Sequence, residues 1–418
     1  MLKILMITGC VYAKNTGRTS FTGLDYVVGD IAEKIGTKCD LTVFTTTPYP
    51  RSSEMNNANI RSYSYLQLVP YTVKNIRNIY ILLKNKKLSF IEKIKMIISL
   101  LLSDYICDLC KREQYDLISM QGVGHCNYLL SRVGYKNHIP VVFSLHGLLS
   151  FGAPNIRYID SWTESELLKY VKQKSLTISV VSKGIQTLIC NKYDINNERV
   201  HVINNAVKFR TVSNDCAGVI KEESDEIKII SVGTLNKNKN QIQLLRAFTL
   251  LPESIKKKCK ITLVGKDDTN GEIENYIAEN ALENIVTVCG FLSKDDVAKL
   301  YIDSTFNVML SISEGFGLSM IEAAYFGIPT LTFDDLDAAH DIYTEDSMIL
   351  LKDRSDETVR EGLLAMIEKN WDADKIHKSV KRFNEDIYFE YLELFKHISK
   401  NNDNLIDRDF AIELLEEI

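Results

Sequence analysis

The chain has 418 residues, 45% hydrophobic and 25% charged, with 50 Lys and Arg against 55 Asp and Glu for a formal net charge of −5. That composition is ordinary for a globular protein and argues against a nucleic-acid binder, which is usually basic. The length fits two domains at ~150 residues each, large enough to bury two cores without disulfide staples. The opening MLKILMITGC is too short an apolar run for a signal peptide. The longest apolar stretch, 96–107, falls short of the ~20 residues that a membrane helix needs and contains Asp104. Neither export nor a transmembrane helix is expected. Nine cysteines are scattered without a framework. The lone CxxC of Cys107 and Cys110 lies in a helical pattern with no second pair, so reduced thiols are expected rather than zinc.

In chain order, β-branched apolar runs predict strands over 3–7, 41–45, 116–120, 141–145, 177–181 and 200–204. They continue over 227–232, 260–264, 286–289, 306–310 and 328–332. Amphipathic periods predict helices over 20–35, 88–112, 241–250, 272–281, 293–302, 318–326 and 386–399. Strands alternating with helices read as parallel βαβ units, and eleven strands suit two sheets better than one. The polar, aperiodic segment 206–226 marks the boundary. The expected domains are 1–210, joined by a late helix at about 384–399, and 211–383. Residues 400–418 read as a polar tail with one further short helix. The stretch 73–95 carries seven Lys and Arg against Glu92 alone, with isoleucines and leucines interleaved. It reads either as a face for an anionic membrane or as an ordinary helix with a lysine-rich solvated side.

The most informative segment is SISEGFGLSMIEAAYFGIPTL, 311–331. A strand turns through Glu314-Gly315-Phe316-Gly317 into a helix that ends at Gly327, and Pro329 opens the next strand. Glycines let the backbone approach a ligand, and the helix N-terminus offers free N–H groups and a positive dipole end, which suits a pyrophosphate. Glu314 and Glu322 have seven residues between them. As ionised acceptors they suit sugar and ribose hydroxyls. The competing reading is a tight turn with a solvated Glu and a second Glu on a helix face.

The same segment, EGFGLSMIEAAYFGIP, resembles the signature of glycosyltransferase family 4, the retaining GT-B glycosyltransferases. SVGTLNKNKNQIQLLRAF (231–248), GFLSKDDVAKLYIDSTFNVMLS (290–311), SVVSKGIQTLI, RVHVINNAV and VVFSLHG resemble further family segments in the family's order. The resemblance implies an α/β GT-B fold of two Rossmann-like doubly wound parallel-sheet domains facing a cleft. The acceptor side would be the first domain and the nucleotide-sugar side the second. It also implies a retaining hexosyltransferase that uses a nucleotide diphosphate sugar as substrate, with no cofactor and no metal. By that resemblance Glu314 holds donor-sugar hydroxyls and Glu322 the ribose. The backbone at Gly315, Phe316, Gly317 and Leu318 meets the diphosphate, Lys239 binds phosphate, and His146 stands near the reacting carbon. Gly17 sits in the first phosphate- and acceptor-contacting loop.

The implied acceptor is a saccharide, lipid-linked if 73–95 meets a membrane, in surface polysaccharide synthesis. Location would be cytoplasmic, peripheral on the inner face of the plasma membrane, with no nucleic acid as partner. Several positions depart from the family. Thr234 stands where arginine is common, Ala206 where a glycine is common, and Phe333-Asp334-Asp335-Leu336-Asp337 where the family is glycine-rich. Asp335-x-Asp337 reads as capping or solvated acids rather than a metal-binding DxD. The departures favour, as an alternative, a non-catalytic nucleotide-sugar-binding protein of the same fold.

Overall fold

The structure is a computed structural model and describes residues 1–18, 21–86, 88–151, 154, 156–209 and 225–417. It divides into two compact units. Unit 1 comprises Met1–Val181, Ile185–Asn204 and Glu385–Ile418, and unit 2 comprises Ser182–Gly184 and Asn205–Asn384. The boundary read between 210 and 211 lies outside the described residues, as does Lys87 of the basic stretch.

Unit 1 is built on β1 (Lys3–Thr8), β2 (Asp40–Thr45), β3 (Asn59–Arg61), β4 (Leu117–Gln121), β5 (Val141–Leu145), β6 (Ile178–Val180) and β7 (Val200–Val202). Their order is β3-β2-β1-β4-β5-β6-β7, and every neighbouring pair is parallel. Central strands β4 and β5 are buried along their whole length, as expected of strands covered on both faces. Unit 2 carries β8 (Ile227–Val232), β9 (Cys259–Val264), β10 (Val286–Val288), β11 (Phe306–Met309), β12 (Thr330–Phe333) and β13 (Met348–Leu351). The order β10-β9-β8-β11-β12-β13 is again wholly parallel. One face packs Leu244, Phe248 and Leu363 against Ile261, Phe306 and Leu331. The other packs Tyr301, Ala323 and Phe326 against Ile230 and Val264. Each such fully buried side chain stabilises by about 1.5–3 kcal/mol before entropy is counted. Both sheets are therefore the doubly wound α/β arrangement that the alternating pattern implied.

Two strands escaped the sequence reading. β3 is three residues long and β13 is MILL with no alternation. Two further helices, Tyr65–Lys74 and Ile76–Lys84, precede the long helix Phe90–Glu113. Asp104, which seemed only to interrupt an apolar run, fastens them. Its buried carboxylate accepts from Asn75 Nδ2 at 2.7 Å and Lys136 Nζ at 2.9 Å. Burial would raise its pKa, but those two donors lower it below the usual carboxylate range. Cys107 and Cys110 are buried in the same long helix, and burial raises both thiols, Cys110 to about 12.

Residues 400–418 are not a polar tail. Asn404 is buried and clamps the starts of two strands: Thr177 N–H donates to its Oδ1 at 2.8 Å, and its Nδ2 donates to the carbonyls of Val141 and Thr177 at 3.0 and 2.6 Å. Phe410, on the helix Phe410–Glu417, is fully buried with its ring 4.7 Å from Tyr128 and 4.9 Å from Tyr170. The spacing of Phe410, Ala411, Leu414 and Leu415 places them on one helix face, a period hidden by its shortness.

Candidate functional site

In unit 2 the strand order reverses between β8 and β11, the place where doubly wound sheets bind ligands beyond their carboxyl ends. The loops leaving those two strands hold most of the expected residues. After β8, Gly233 adopts φ +149°, and the methylenes of Lys239 lie 3.3–3.6 Å from where a Cβ would stand. After β11, the segment Ser311–Gly317 is laced to the first loop. Asn238 Nδ2 donates to the Ser313 carbonyl at 3.0 Å, Ser313 N–H donates back to Asn238 Oδ1 at 3.2 Å, and Ile312 N–H donates to the Asn238 carbonyl at 2.7 Å. The result is that Lys239 Nζ forms an ion pair with Glu314 Oε1 across 75 residues of sequence.

The helix Leu318–Tyr325 then begins at Gly317, whose φ of +82° disfavours any residue with a Cβ. Phe316 is buried edge-to-face on Phe383, with ring centroids 5.5 Å apart, which leaves its backbone as the part near the turn. Glu322, on that helix, has Lys294 Nζ 4.0 Å from its Oε1. Lys239, Glu314, Gly315, Phe316, Gly317, Leu318 and Glu322 are thus brought into one neighbourhood by the switch point and the helix it feeds. Thr234, in the arginine position, offers its carbonyl to Gln241 Nε2 at 3.4 Å, and Lys237 is exposed. Asp335 is taken by Arg354 in a two-bond fork of 2.7 Å each, and Asp337 opens a short helix, so these acids serve structure. Among the described residues no group of three or more His, Cys, Asp or Glu is placed to hold a metal ion.

Gly17 and His146 belong to unit 1 and leave the carboxyl ends of β1 and β5, the two neighbours of β4. Gly17 is exposed at φ +70°. His146 is fixed by a residue that sequence reading passed over. Gln121 ends β4, its Nε2 donates to Ser119 Oγ at 2.7 Å, and its Oε1 therefore accepts His146 Nε2–H at 2.8 Å. Burial lowers the ring to about pKa 4, so it is neutral near pH 7 with a buried, unpartnered Nδ1 lone pair. A second missed residue, Glu164, sits fully buried and accepts from the backbone N–H groups of Leu149 and Ser150 at 2.8–2.9 Å, shaping the loop after His146. Its only sequence signal was an acid on the buried face of a helix.

Two family models match this arrangement: one described as Glycosyltransferase Family 4 over residues 22–210, the other as Glycosyl transferases group 1 over residues 217–386. The chain belongs to glycosyltransferase family 4. Among relatives of this family 4 chain is a Campylobacter jejuni N-acetylgalactosamine-N,N'-diacetylbacillosaminyl-diphospho-undecaprenol 4-alpha-N-acetylgalactosaminyltransferase. It is 25% identical over 233 residues, covering 54% of this chain and 60% of that protein. The O-antigen chain mannosyltransferase RfbU of Salmonella typhimurium is 23% identical over 234 residues, 55% of this chain and 63% of that one. The match therefore spans less than two thirds of those relatives. The structure is similar to that of HepE from Anabaena in complex with UDP and glucose, with TM-score 0.68 and 15% identity over 95% of this chain and 100% of that one. At that identity the likeness is one of fold.

Proposed function

We propose that the chain is a retaining glycosyltransferase that moves a hexose-type sugar from a nucleotide diphosphate sugar to a saccharide acceptor. The observation that carries this reading is the meeting of Lys239 with Glu314 beside the N-terminus of Leu318–Tyr325. A compact cation and a helix dipole end together favour the charge that develops on a departing diphosphate, so no metal is required. Glu314 would exchange its lysine contact for sugar hydroxyls when donor binds, and Glu322 would take the ribose diol. A neutral His146 with a free Nδ1 accepts a hydroxyl hydrogen bond rather than adding a charge near the reacting carbon. Attack of the acceptor from the face the leaving group vacates, with leaving-phosphate assistance, retains the anomeric configuration.

A lipid-linked acceptor in surface polysaccharide synthesis, at the inner face of the plasma membrane, is supported by the surface of unit 1. Ten of the eighteen exposed large hydrophobic side chains among the described residues lie in 65–94, including Leu66, Val73, Ile76 and Phe90. Exposed Lys74, Arg77, Lys84, Lys86 and Lys95 surround them. Apolar side chains within a basic field suit the interface of an anionic bilayer. The patch starts at Tyr65, earlier than the basic run in the sequence. Among the described residues no helix is long and apolar enough to cross a membrane.

Incubation with a panel of nucleotide sugars, EDTA present and Glu322→Ala as control, tests the reading. Slow release of nucleotide diphosphate from one donor, insensitive to EDTA and lost in the variant, is expected. Absence of release and of any donor-induced thermal shift would move the assignment to a non-catalytic relative, with Thr234 as the position to examine.

A further inference from the structure

The switch point of unit 2 offers a diphosphate less positive charge than the ligand carries negative. Beside and along the helix Leu318–Tyr325, Lys239 is matched by Glu314 and Lys294 by Glu322, which leaves these side chains with no net charge. The helix end adds only about half an elementary charge. A diphosphate is a multiply charged anion and is held best by charge-assisted hydrogen bonds, so another cation is expected within reach of the same loops.

The pairing of β8 with β9 brings one there. Its parallel register runs from Ile227 opposite Cys259 to Val232 opposite Val264, and it resumes beyond the strand ends with Leu235 opposite Asp267. The offset is unchanged, so Gly233 faces Gly265 and Thr234 faces Lys266. Backbone bonds hold this extension. Gly233 N–H donates to the Val264 carbonyl at 2.8 Å, Leu235 N–H to the Lys266 carbonyl at 2.8 Å, and Asp268 N–H to the Leu235 carbonyl at 2.9 Å. Glycine at both facing positions permits the close approach. Gly233 and Gly265 adopt φ of +149° and +148°, and a Cβ on Gly265 would stand 2.0 Å from the Gly233 carbonyl oxygen. Gly233 is also the residue that the Lys239 methylenes cover.

Paired residues of neighbouring strands carry their side chains on the same face, and the strands lie about 4.8 Å apart. Lys266 therefore stands on the face that Thr234 presents, one strand spacing away, and brings the charge that Thr234 lacks. Its side chain is 73% exposed, and its ammonium pairs with Asp268, itself 45% exposed. A pair so open to solvent contributes little and is readily exchanged for a ligand of higher charge. Lys237 is exposed in the turn beyond the ladder and is the competing cation.

We propose that Lys266 is a second phosphate-binding cation of the donor site, an assignment that rests on the nucleotide-sugar function proposed for that site. It reaches from the β9 loop to the diphosphate that Lys239 meets from the β8 loop. Lys266 gives up Asp268 for the diphosphate oxygens and balances charge that Lys239, shared with Glu314, does not.

Titration calorimetry of the full chain with UDP, GDP, ADP, CDP and dTDP identifies the nucleoside diphosphate that binds best, and variants are compared on it. Lys266→Met should weaken binding ~10-fold or more, the size of a hydrogen bond between charged groups. The melting temperature without ligand should not move, since the side chain is exposed. Lys237→Met should weaken binding less than ~3-fold, as a screened charge without a phosphate contact would. Thr234→Arg in the Lys266→Met background should recover most of the loss, because it returns a cation to the paired position. Unaltered affinity in K266M would overturn the proposal and leave the donor site standing. An equal loss in K237M, or no recovery in T234R/K266M, would do the same. If none of these diphosphates binds the parent chain, the donor site itself falls, and the role of Lys266 with it.

Discussion

Replacing Lys239 by Met separates the chemistry proposed for this lysine from its packing. Met retains the methylene stem that covers Gly233 at 3.3–3.6 Å and removes only the charge. The Lys239 and Glu314 side chains are 26% and 11% exposed, so their ion pair is partly screened and worth no more than about 1 kcal/mol to stability. In a chain with units of this size that corresponds to a Tm change of less than about 4 °C. Charge placed on a leaving diphosphate is worth far more, and loss of one such stabilising group typically lowers kcat by ~10²–10³, about 3–4 kcal/mol. The assay is nucleotide diphosphate release from the donor identified in the panel, with thermal melting of the same preparations. A kcat within ~10-fold of the parent would refute the argument and leave Lys239 as a partner of Glu314 alone. A Tm loss well beyond that range would show that the pair holds the two loops together. The double variant K239M/E314Q then measures the coupling, because each single change leaves the other side chain without its partner.

Other outcomes are equally open to measurement. His146 is held neutral at about pKa 4, so between pH 6.5 and 4 the unfolded chain binds a proton that the folded chain refuses. Stability should therefore fall as pH drops through that window, by up to about 3 kcal/mol from this residue, and urea unfolding of His146→Gln should show a shallower slope. His125 has the opposite sign: raised to about 9, its contribution is complete below about pH 6.5 and is lost as pH climbs towards 9, a loss that Asp160→Asn should erase. Phe410→Ala should cost about 3–5 kcal/mol in chemical unfolding, since the ring is fully buried between Tyr128 and Tyr170; a cost under ~1 kcal/mol would return the segment to the status of a tail. Changing Lys84, Lys86 and Lys87 together to Glu should weaken sedimentation with anionic vesicles ~100-fold or more, at about 1 kcal/mol per basic residue near the surface. Unchanged sedimentation would remove the membrane from the proposal.

The sequence by itself determined the alternating strands and helices, the turn at Gly317 and the placing of Glu314 before that turn and Glu322 on the helix after it. Each of these is a local matter: buried parallel strands must be apolar runs, a left-handed turn needs glycine, and a helix N-terminus attracts anions. It could not show that Lys239 meets Glu314, because a sequence separation of 75 residues is closed only when β11 lies beside β8 in the sheet. Nor could it reveal Gln121 behind His146, Asp160 behind His125, or Asn404 between the starts of β5 and β6. In each case a single polar residue gains its role from a partner on a distant strand or helix. The basic run was legible as composition, whereas the apolar face that begins at Tyr65 was not, since only the packing of Leu68, Leu82 and Met96 inward decides which neighbouring side chains are left facing water.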